Sequence, residues 1–313
     1  MDTTEIRVGK TIDEATKFAF RNLLSTIQVG WLPIGLTIAI ASAIAWVFWE
    51  PIILTYIDFF EAYSAAGTDA DALEQVMEVF AIQFANALEE IGLGGFLFGY
   101  VLFVAVTLFG YAIPITAYCR MMVLDERYPA PFYLRFGPRE ISVGLTYLAI
   151  TVIGVVAITG LMFGVVLISA LASSGGEPSP ISALLGFGGA VFCIWLSLWL
   201  FGRLLVALPV SAVEGGVPVG RAWTLTKGMG GKLAWILLLG YLVLTVLSLI
   251  FMMILSMVTG LILGILTGLG SQLAPYFVGA AWFIGYVAFY CFSTAFFMAL
   301  FALPYKRLME GSA

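Results

Sequence analysis

The chain contains no histidine and few charged residues. Only 11% of its 313 residues are charged, less than half of the ~25% that is typical of a soluble domain. Without histidine it lacks the commonest general base, proton shuttle and metal ligand of proteins. Hydrophobic residues make up 62% of the sequence, more than a soluble fold can bury. This composition excludes a cytosolic enzyme, a secreted disulfide scaffold, a disordered segment and a coiled coil, and it indicates a polytopic helical membrane protein.

Reactive groups at membrane depth are also missing. Cys119, Cys193 and Cys291 are far apart in apolar surroundings, which indicates buried thiols because metal and redox sites need close spacing. No pair of carboxylates lies within an apolar run, which excludes an intramembrane aspartyl protease. The middles of these runs also lack the ionisable residue that marks a pump or an ion-coupled transporter. We therefore expect a protein that is not an enzyme and that holds no cofactor and no metal.

Long uncharged runs are what the sequence has instead. A helix needs about 20 mostly apolar residues to cross ~30 Å of hydrocarbon. The runs suffice for six such helices, with breaks in the polar turn 173–180 and in the Gly- and Pro-containing stretch 268–275. The predicted fold is therefore an all-α polytopic membrane protein with a single transmembrane domain over residues 1–313. Its spans are predicted at 29–49, 92–119, 141–172, 181–202, 233–258 and 277–303.

The charges are divided unequally among the connections. All 14 Lys and Arg residues lie in the terminal segments and after the second and fourth spans, together with nine acids, so this side carries +5. The other three connections contain ten acids and no base. The positive-inside rule therefore predicts that both termini are cytoplasmic. The basic side could bind anionic lipid headgroups, at about 1 kcal/mol per Lys or Arg, or its charges could serve only to set the topology.

Three short cytoplasmic segments precede the odd-numbered spans. The first lies within residues 1–28, where Thr11 and Glu14 form a capping box for an amphipathic helix over Thr11–Ile27. Together with motifs that recur at the ends of the even spans, these segments predict three parallel repeats of a surface helix plus a helical hairpin. Such repeats occur in transporters, but duplication also builds inert bundles. The recurring stretches are Ala130–Glu140 and Val217–Lys232 before the third and fifth spans, and Arg120–Val123 with Arg203–Val206 and Ala207–Gly215 with Ala302–Gly311 after the even spans.

The connection 50–91 is predicted to be an acidic extracytoplasmic helical segment. Thr68 and Asp71 are expected to cap a helix in it, with an apolar stripe along one side. Asp71, Glu74 and Glu78 form an acidic face on the same helix. The stripe could pack on the rest of the protein or lie in the outer membrane interface. The acidic face could instead dock a partner protein.

Glycine spacing suggests close helix contacts. Gly260, Gly264 and Gly268 form two consecutive steps of four residues, and Gly160 and Gly164 form another. Glycine at this spacing lets helix backbones approach closely in a membrane. The contacts could lie within the bundle or between two copies of the chain.

A longer stretch resembles a known family. From Arg203 a span runs to Pro209, Glu214 and Gly215 follow, and a surface segment of the form Ala-Trp-x-Leu-Thr-Lys-Gly leads to the next span. This pattern resembles bacterial six-span proteins grouped with the membrane domain found beside some glycerophosphodiester phosphodiesterases. We expect Pro209 to end the span. The other residues that carry the resemblance are Arg221, Trp223, Thr224 and Lys227 and, in a second stretch, Arg135, Gly137 and Glu140.

The resemblance implies location more than chemistry. It implies a multi-pass protein of the bacterial inner membrane, with the matching residues at the cytoplasmic interface. The chain lacks a phosphodiesterase domain, so hydrolysis is not carried over. Two functions stay open: a non-enzymatic accessory or scaffold subunit that interacts with lipid and a partner membrane complex or a second copy, and a transporter or binder of lipid-like amphiphiles. We expect no nucleic-acid partner.

Overall fold

The computed structural model describes residues 6–128, 133–172, 180–268 and 273–311. These residues form nine helices and no strand, which confirms the predicted all-α class. A helix satisfies its own backbone hydrogen bonds, as a segment within a bilayer must. The helices are α1 (Val8–Arg21), α2 (Leu23–Ala66), α3 (Ala70–Val123), α4 (Pro138–Ala172), α5 (Pro180–Leu204), α6 (Ala207–Glu214), α7 (Val219–Leu225), α8 (Gly230–Gly268) and α9 (Ala274–Gly311).

Within the described ranges, six helical segments are long and apolar enough to span a membrane. This number confirms the six predicted spans and is that of a multi-pass membrane protein. Some segments are longer than a span requires. α2 has 44 residues and α3 has 54, about 65 and 80 Å of helix against ~30 Å of hydrocarbon. The six segments are Leu23–Ala66, Ala70–Val123, Pro138–Ile168, Gly186–Glu214, Gly230–Gly268 and Ala274–Glu310.

The chain divides into two compact units. We call Gly35–Gly110 the hairpin unit, because it consists of the consecutive helices α2 and α3 over most of their length. We call Met1–Ile34 together with Tyr111–Ala313 the bundle unit. The two units are described separately below.

The two helices of the hairpin unit each contain one non-helical residue. These are Trp49 in α2 (φ −131°, ψ 20°) and Gly92 in α3 (φ 67°, ψ 155°), and the positive φ at position 92 favours glycine. Both positions lie where the sequence predicts that a span meets the outer segment. Beyond them aromatic side chains join the helices, with the rings of Phe59 and Phe80 4.5 Å apart between centroids.

The core of the bundle unit lies where α3 and α9 end and α4 and α8 begin. Tyr118, Phe296 and Tyr305 are completely buried there. The middle parts of α4 and α8, in contrast, expose large apolar side chains such as Phe163 and Met253. Exposed apolar surface on this scale is foreign to soluble monomers. In a bilayer it is suited to contact with acyl chains.

The amino-terminal helix differs from its predicted bounds. α1 begins at Val8 and ends before Asn22, whose backbone is non-helical (φ −105°, ψ 18°). Thr11 therefore lies inside the helix, where its hydroxyl donates to the carbonyl of Arg7 at 3.0 Å. The predicted capping box is wrong, because this i to i−4 bond occupies the hydroxyl and the Glu14 carboxylate pairs with Arg307. Residues 23–27 of the predicted helix belong to α2.

The start of α3 is capped by a different residue from the one predicted. A carboxylate oxygen of Asp69 accepts hydrogen bonds from the backbone N–H groups of Asp71 (3.1 Å) and Ala72 (3.3 Å). Asp69 is thus the N-cap, in the usual geometry of a cap that accepts from the second and third helical N–H groups. The prediction that Thr68 caps the helix is wrong.

The segment before α4 is not the predicted surface helix. Residues 133–137 are not helical, and positions 130–132 of the predicted helix lie outside the described residues. α4 begins at Pro138, since proline is favoured at the first helical position. The Glu140 carboxylate accepts the N–H of Gly137 at 2.9 Å, which is one half of a capping box.

Pro209 does not end its span. The helix is interrupted at residues 205–206, and Pro209 lies in the first turn of α6, which continues to Glu214. A proline is tolerated in a first turn because the N–H groups there have no intrahelical partner. The predicted stop at Pro209 is therefore wrong, and the chain turns at Gly215 and Gly216, which both have positive φ.

The glycines of the spaced motifs do not mediate close contacts within the described chain. A Cβ atom added at Gly160, Gly164, Gly260, Gly264 or Gly268 would meet no atom within 4 Å. Close approaches occur at glycines that the spacing did not single out. A Cβ atom at Gly202 would lie 2.9 Å from the backbone of Leu233 in α8, and one at Gly230 would overlap the indole of Trp199. Contact between two copies stays a prediction for the spaced motifs.

Candidate functional site

The charged side chains of the bundle unit gather on a group of helices that we call the basic end. It comprises α1, the starts of α4 and α8, the ends of α3, α5 and α9, and the short helices α6 and α7. Three of the residues singled out in the sequence, Arg135, Thr224 and Lys227, are exposed there. The others make the contacts described next.

Arg203 is a buried cation held by tryptophans. It is only 7% exposed, and its guanidinium carbon lies 3.5 Å from the ring centroid of Trp223 and 5.0 Å from that of Trp199. The guanidinium also donates to the Trp223 carbonyl at 2.6 Å and to the Thr226 hydroxyl at 3.1 Å. In the described residues no carboxylate forms an ion pair with it. The aromatic faces and oxygen acceptors therefore stabilise this charge, and the contact fixes α7 on α5.

Glu214 joins three helices. Its carboxylate lies 2.6 Å from a guanidinium nitrogen of Arg221 in α7 and accepts the hydroxyl of Tyr305 in α9 at 2.7 Å. Because Tyr305 is completely buried, losing this acceptor would leave a buried hydroxyl without a partner. Glu214 is thus structural in this arrangement, and the sequence pattern located it correctly next to the Gly215 turn.

Small hydroxyl groups close the turn after α6. The Ser211 hydroxyl donates to the carbonyl of Gly216 at 2.7 Å. The Thr146 hydroxyl of α4 donates to the Ser142 carbonyl at 2.7 Å, and its oxygen lies 3.1 Å from the Ser211 oxygen. Both hydroxyls are buried, so their hydrogen bonds hold the turn against α4 without an exposed reactive group.

Arg120 and Glu126 form a second ion pair at the end of α3. Arg120 also donates to the Ala212 carbonyl of α6 at 3.3 Å, and the Tyr128 hydroxyl donates to the Glu126 carboxylate at 2.9 Å. The hydrogen bond from Arg120 lowers the pKa of Glu126 below its ordinary value. Burial and the hydrogen bond to Glu126 raise the pKa of Tyr128. At neutral pH the carboxylate is therefore ionised and the phenol neutral.

Tyr133 and Glu140 continue this polar group toward α4. The rings of Tyr128 and Tyr133 lie 4.7 Å apart, and the Tyr133 hydroxyl lies 3.4 Å from the Glu140 carboxylate. Burial, followed by the Glu140 charge, raises the pKa of Tyr133. Glu140 is only 3% exposed, and its two oxygens are occupied by Tyr133 and by the N–H of Gly137. It is therefore placed to hold the backbone, not to transfer a proton.

The carboxyl-terminal part of α9 contributes two cations that were not singled out in the sequence. Lys306 pairs with Asp125 at 3.0 Å, and Arg307 pairs with Glu14 and donates to the Thr11 hydroxyl at 3.2 Å. The partners are nearly 300 residues apart in the second case. The sequence indicated only that Lys and Arg residues cluster on this side of the membrane. Clustering does not predict which acid pairs with which base.

Six bases of the bundle unit stay available to external groups. They are exposed and form no ion pair among the described residues, whereas the acids at this end are mostly engaged in the pairs above. In the described part of the basic end, only Glu310 is an exposed acid without an ion pair. The six bases are Arg21, Arg127, Arg135, Arg139, Lys227 and Lys232.

The hairpin unit has the opposite character. Between Gly35 and Gly110 there are nine acids and no base, so no ion pair can form within this unit. All nine acids are exposed, including the predicted partner face of Asp71, Glu74 and Glu78. Large side chains are exposed on the same helices, among them Phe60 and Ile82. This surface combines negative charge with apolar and aromatic area.

The described residues offer few groups for catalysis. They contain no cluster of three or more His, Cys, Asp or Glu side chains that could hold a metal ion. Cys119, Cys193 and Cys291 are all free and buried, which makes structural thiols inert. Among the described residues, the buried side-chain polar groups have hydrogen-bond partners, except the indole N–H of Trp49.

Comparison of the chain with family models, with curated proteins and with solved structures finds no match in any of the three. The resemblance to the membrane domain found beside phosphodiesterases stays a prediction from Pro209, Glu214, Gly215 and the residues that follow them.

Proposed function

We propose that this chain is a non-enzymatic integral membrane protein that acts as an accessory or scaffold subunit. Its basic end binds anionic lipid headgroups, and its hairpin unit docks a partner protein with a basic surface. The observation that carries the proposal is the difference in charge pairing. Bases without ion pairs are in excess at the basic end, and acids without ion pairs cover the hairpin unit.

The proposed orientation places the basic end in the cytoplasm of a bacterium, with both termini inside. The positive-inside rule supports it, because every Lys and Arg lies outside the hairpin unit. The six bases without ion pairs would then face anionic headgroups, which attract each at about 1 kcal/mol near the surface. The hairpin unit would present its acids on the outer side.

Charge and exposed apolar area support docking of a partner to the hairpin unit. Complementary charge speeds association and selects partners, while exposed aromatic residues supply the contact area. Asp71, Glu74 and Glu78 lie within about two helical turns of one another on α3. A partner that binds there should carry Lys or Arg opposite them.

Purification from native membranes in mild detergent tests the proposal. The full wild-type chain should retain a basic membrane protein in fixed stoichiometry, and D71N/E74Q/E78Q should lose it. The control is E310Q, since Glu310 is an exposed acid outside the hairpin unit and its neutralisation should leave the complex intact. A monodisperse monomer without a partner from wild-type membranes would reject the scaffold role.

A second candidate function is binding of lipid-like amphiphiles. One observation favours it: α8, α9 and the junction of α1 and α2 enclose a groove of about 300 Å³ in the bundle unit. Every side chain that lines it is apolar. The next subsection develops what would occupy this groove.

A further inference from the structure

Aromatic pairs form part of the walls of the groove in the bundle unit. The ring centroids of Phe251 and Phe289 lie 4.6 Å apart, and those of Phe20 and Phe292 lie 5.0 Å apart. Phe292 is nearly completely buried, while Phe20 lies at the rim with half of its surface exposed. Such a groove is formed before a ligand arrives, as binding sites for small molecules usually are.

The lining and the setting of the groove select its occupant. Its volume is about 300 Å³, and its entirely apolar lining offers no hydrogen-bond partner to a polar ligand. In a bilayer, acyl chains are the apolar groups that such a groove meets. Part of an acyl chain is therefore the occupant that fits.

A cation lies beside the groove. Arg21 is the last residue of α1 and stands between the lining residues Phe20 and Leu23 in the sequence. It is exposed and has no ion pair among the described residues. Arginine binds phosphate through two parallel hydrogen bonds. The apolar groove therefore suits the acyl chain of a phospholipid, and the guanidinium suits its headgroup phosphate.

We propose that this groove binds one acyl chain of an anionic phospholipid, whose headgroup phosphate lies against Arg21. The proposal rests on the second candidate function and specifies its ligand. Ile250 lines the groove, so a larger side chain there would fill it. Leu249 is its neighbour on α8 and is two-thirds exposed, but it does not line the groove.

Native mass spectrometry of the delipidated full chain tests the proposal, with phosphatidylglycerol and phosphatidylcholine of equal chain length as probes. I250W should weaken retention of both lipids, because it fills the groove. R21Q should weaken phosphatidylglycerol about tenfold, as expected for loss of a charge-assisted bond. It should weaken phosphatidylcholine less, because the choline cation offsets the charge of that lipid's phosphate. Lysophosphatidylglycerol, which has a single chain, should compete with phosphatidylglycerol.

Matched controls separate this site from the general lipid contact of the protein. L249W should retain both lipids like the wild type, and so should K17Q, because Lys17 is an exposed base that already pairs with Asp13. All variants should keep the wild-type Tm and elution volume. If the controls weaken retention as much as I250W and R21Q do, the groove is not the site. If I250W and R21Q retain both lipids like the wild type, while the protein still retains more phosphatidylglycerol than phosphatidylcholine, this inference fails. Lipid binding by the remaining bases then stands.

Discussion

The hairpin unit and the bundle unit treat charge in opposite ways. In the bundle unit, acids meet bases across helices, as Glu214 meets Arg221 and Glu14 meets Arg307. In the hairpin unit all nine charges have one sign and face outward. Exposed charges of one sign contribute little to stability, and such charges can speed association and select partners. The bundle unit pairs part of its charge across helices, whereas the hairpin unit pairs none of its charge internally.

The largest expected effect concerns Arg203. R203A removes two aromatic contacts and two hydrogen bonds from a desolvated cation, and it should lower the free energy of unfolding by about 3 kcal/mol. Unfolding by denaturant in mild detergent measures it. The control R127A alters an exposed base without an ion pair and should change stability by less than about 0.5 kcal/mol. Equal effects of the two variants would show that Arg203 contributes no more than a surface charge.

A glycine pair tests the packing of the bundle unit. G202A places a Cβ atom 2.9 Å from the backbone of α8, which cannot move aside as a side chain can, so a loss of about 2 kcal/mol is expected. G264A meets no neighbouring atom and should stabilise its helix by roughly 0.5–1 kcal/mol. Unfolding by denaturant in mild detergent measures both changes in the free energy of unfolding, a decrease for G202A and an increase for G264A. A stability loss at Gly264 would indicate that this glycine contacts another copy of the chain.

The stability of the bundle unit should depend on pH through Glu126. The pKa of Glu126 is lowered in the folded protein, mainly by the hydrogen bond from Arg120. Its contribution to stability is therefore complete above the unfolded pKa of about 4.3. That contribution is lost as the pH falls through the lower folded value. In a Tm series from pH 7 to pH 3, wild type should approach E126Q at the acidic end. A constant difference between the two would contradict this linkage.

The smallest stability effect is expected in the hairpin unit. Neutralising its acids as E74Q/E78Q should change the free energy of unfolding by less than about 0.5 kcal/mol, or raise it slightly by reducing repulsion between like charges on α3. Thermal unfolding of the purified chain is the measurement. A clear destabilisation would mean that these acids pair within the protein after all, and the contrast between the two units would disappear.

Several parts of the fold followed from sequence alone because they depend on local properties. The number of membrane-length helices depends on uncharged runs, which are counted directly. The starts of helices were less predictable. Thr11 and Thr68 are acceptable caps by type. Asp69 accepts the backbone N–H groups at the start of α3 instead of Thr68. α1 begins one turn before Thr11, with Arg7 at the N-cap position and no side-chain cap. Pro209 was misjudged because a first turn tolerates proline.

The sequence predicted which residues belong to the candidate site, but not which hydrogen bonds and ion pairs they form. The pattern around Glu214 and Trp223 located residues that the structure places in contacts with Arg221, Tyr305 and Arg203. It missed Arg307, whose partner Glu14 is at the other end of the chain. The spaced glycines were selected for a motif, whereas close contact occurs at Gly202, where another helix happens to approach.

By itself the sequence determined an apolar chain of six membrane-length helices, with all of its bases excluded from one segment, because hydropathy and the order of charges are properties of the chain itself. Only the tertiary structure decided which of those charges remain unpaired. Arg203 lies on tryptophan rings and Arg307 on Glu14, while Arg21 stays exposed beside an apolar groove. The physical reason is that an ion pair or a groove requires side chains from distant helices to meet, and helix packing alone sets which ones do.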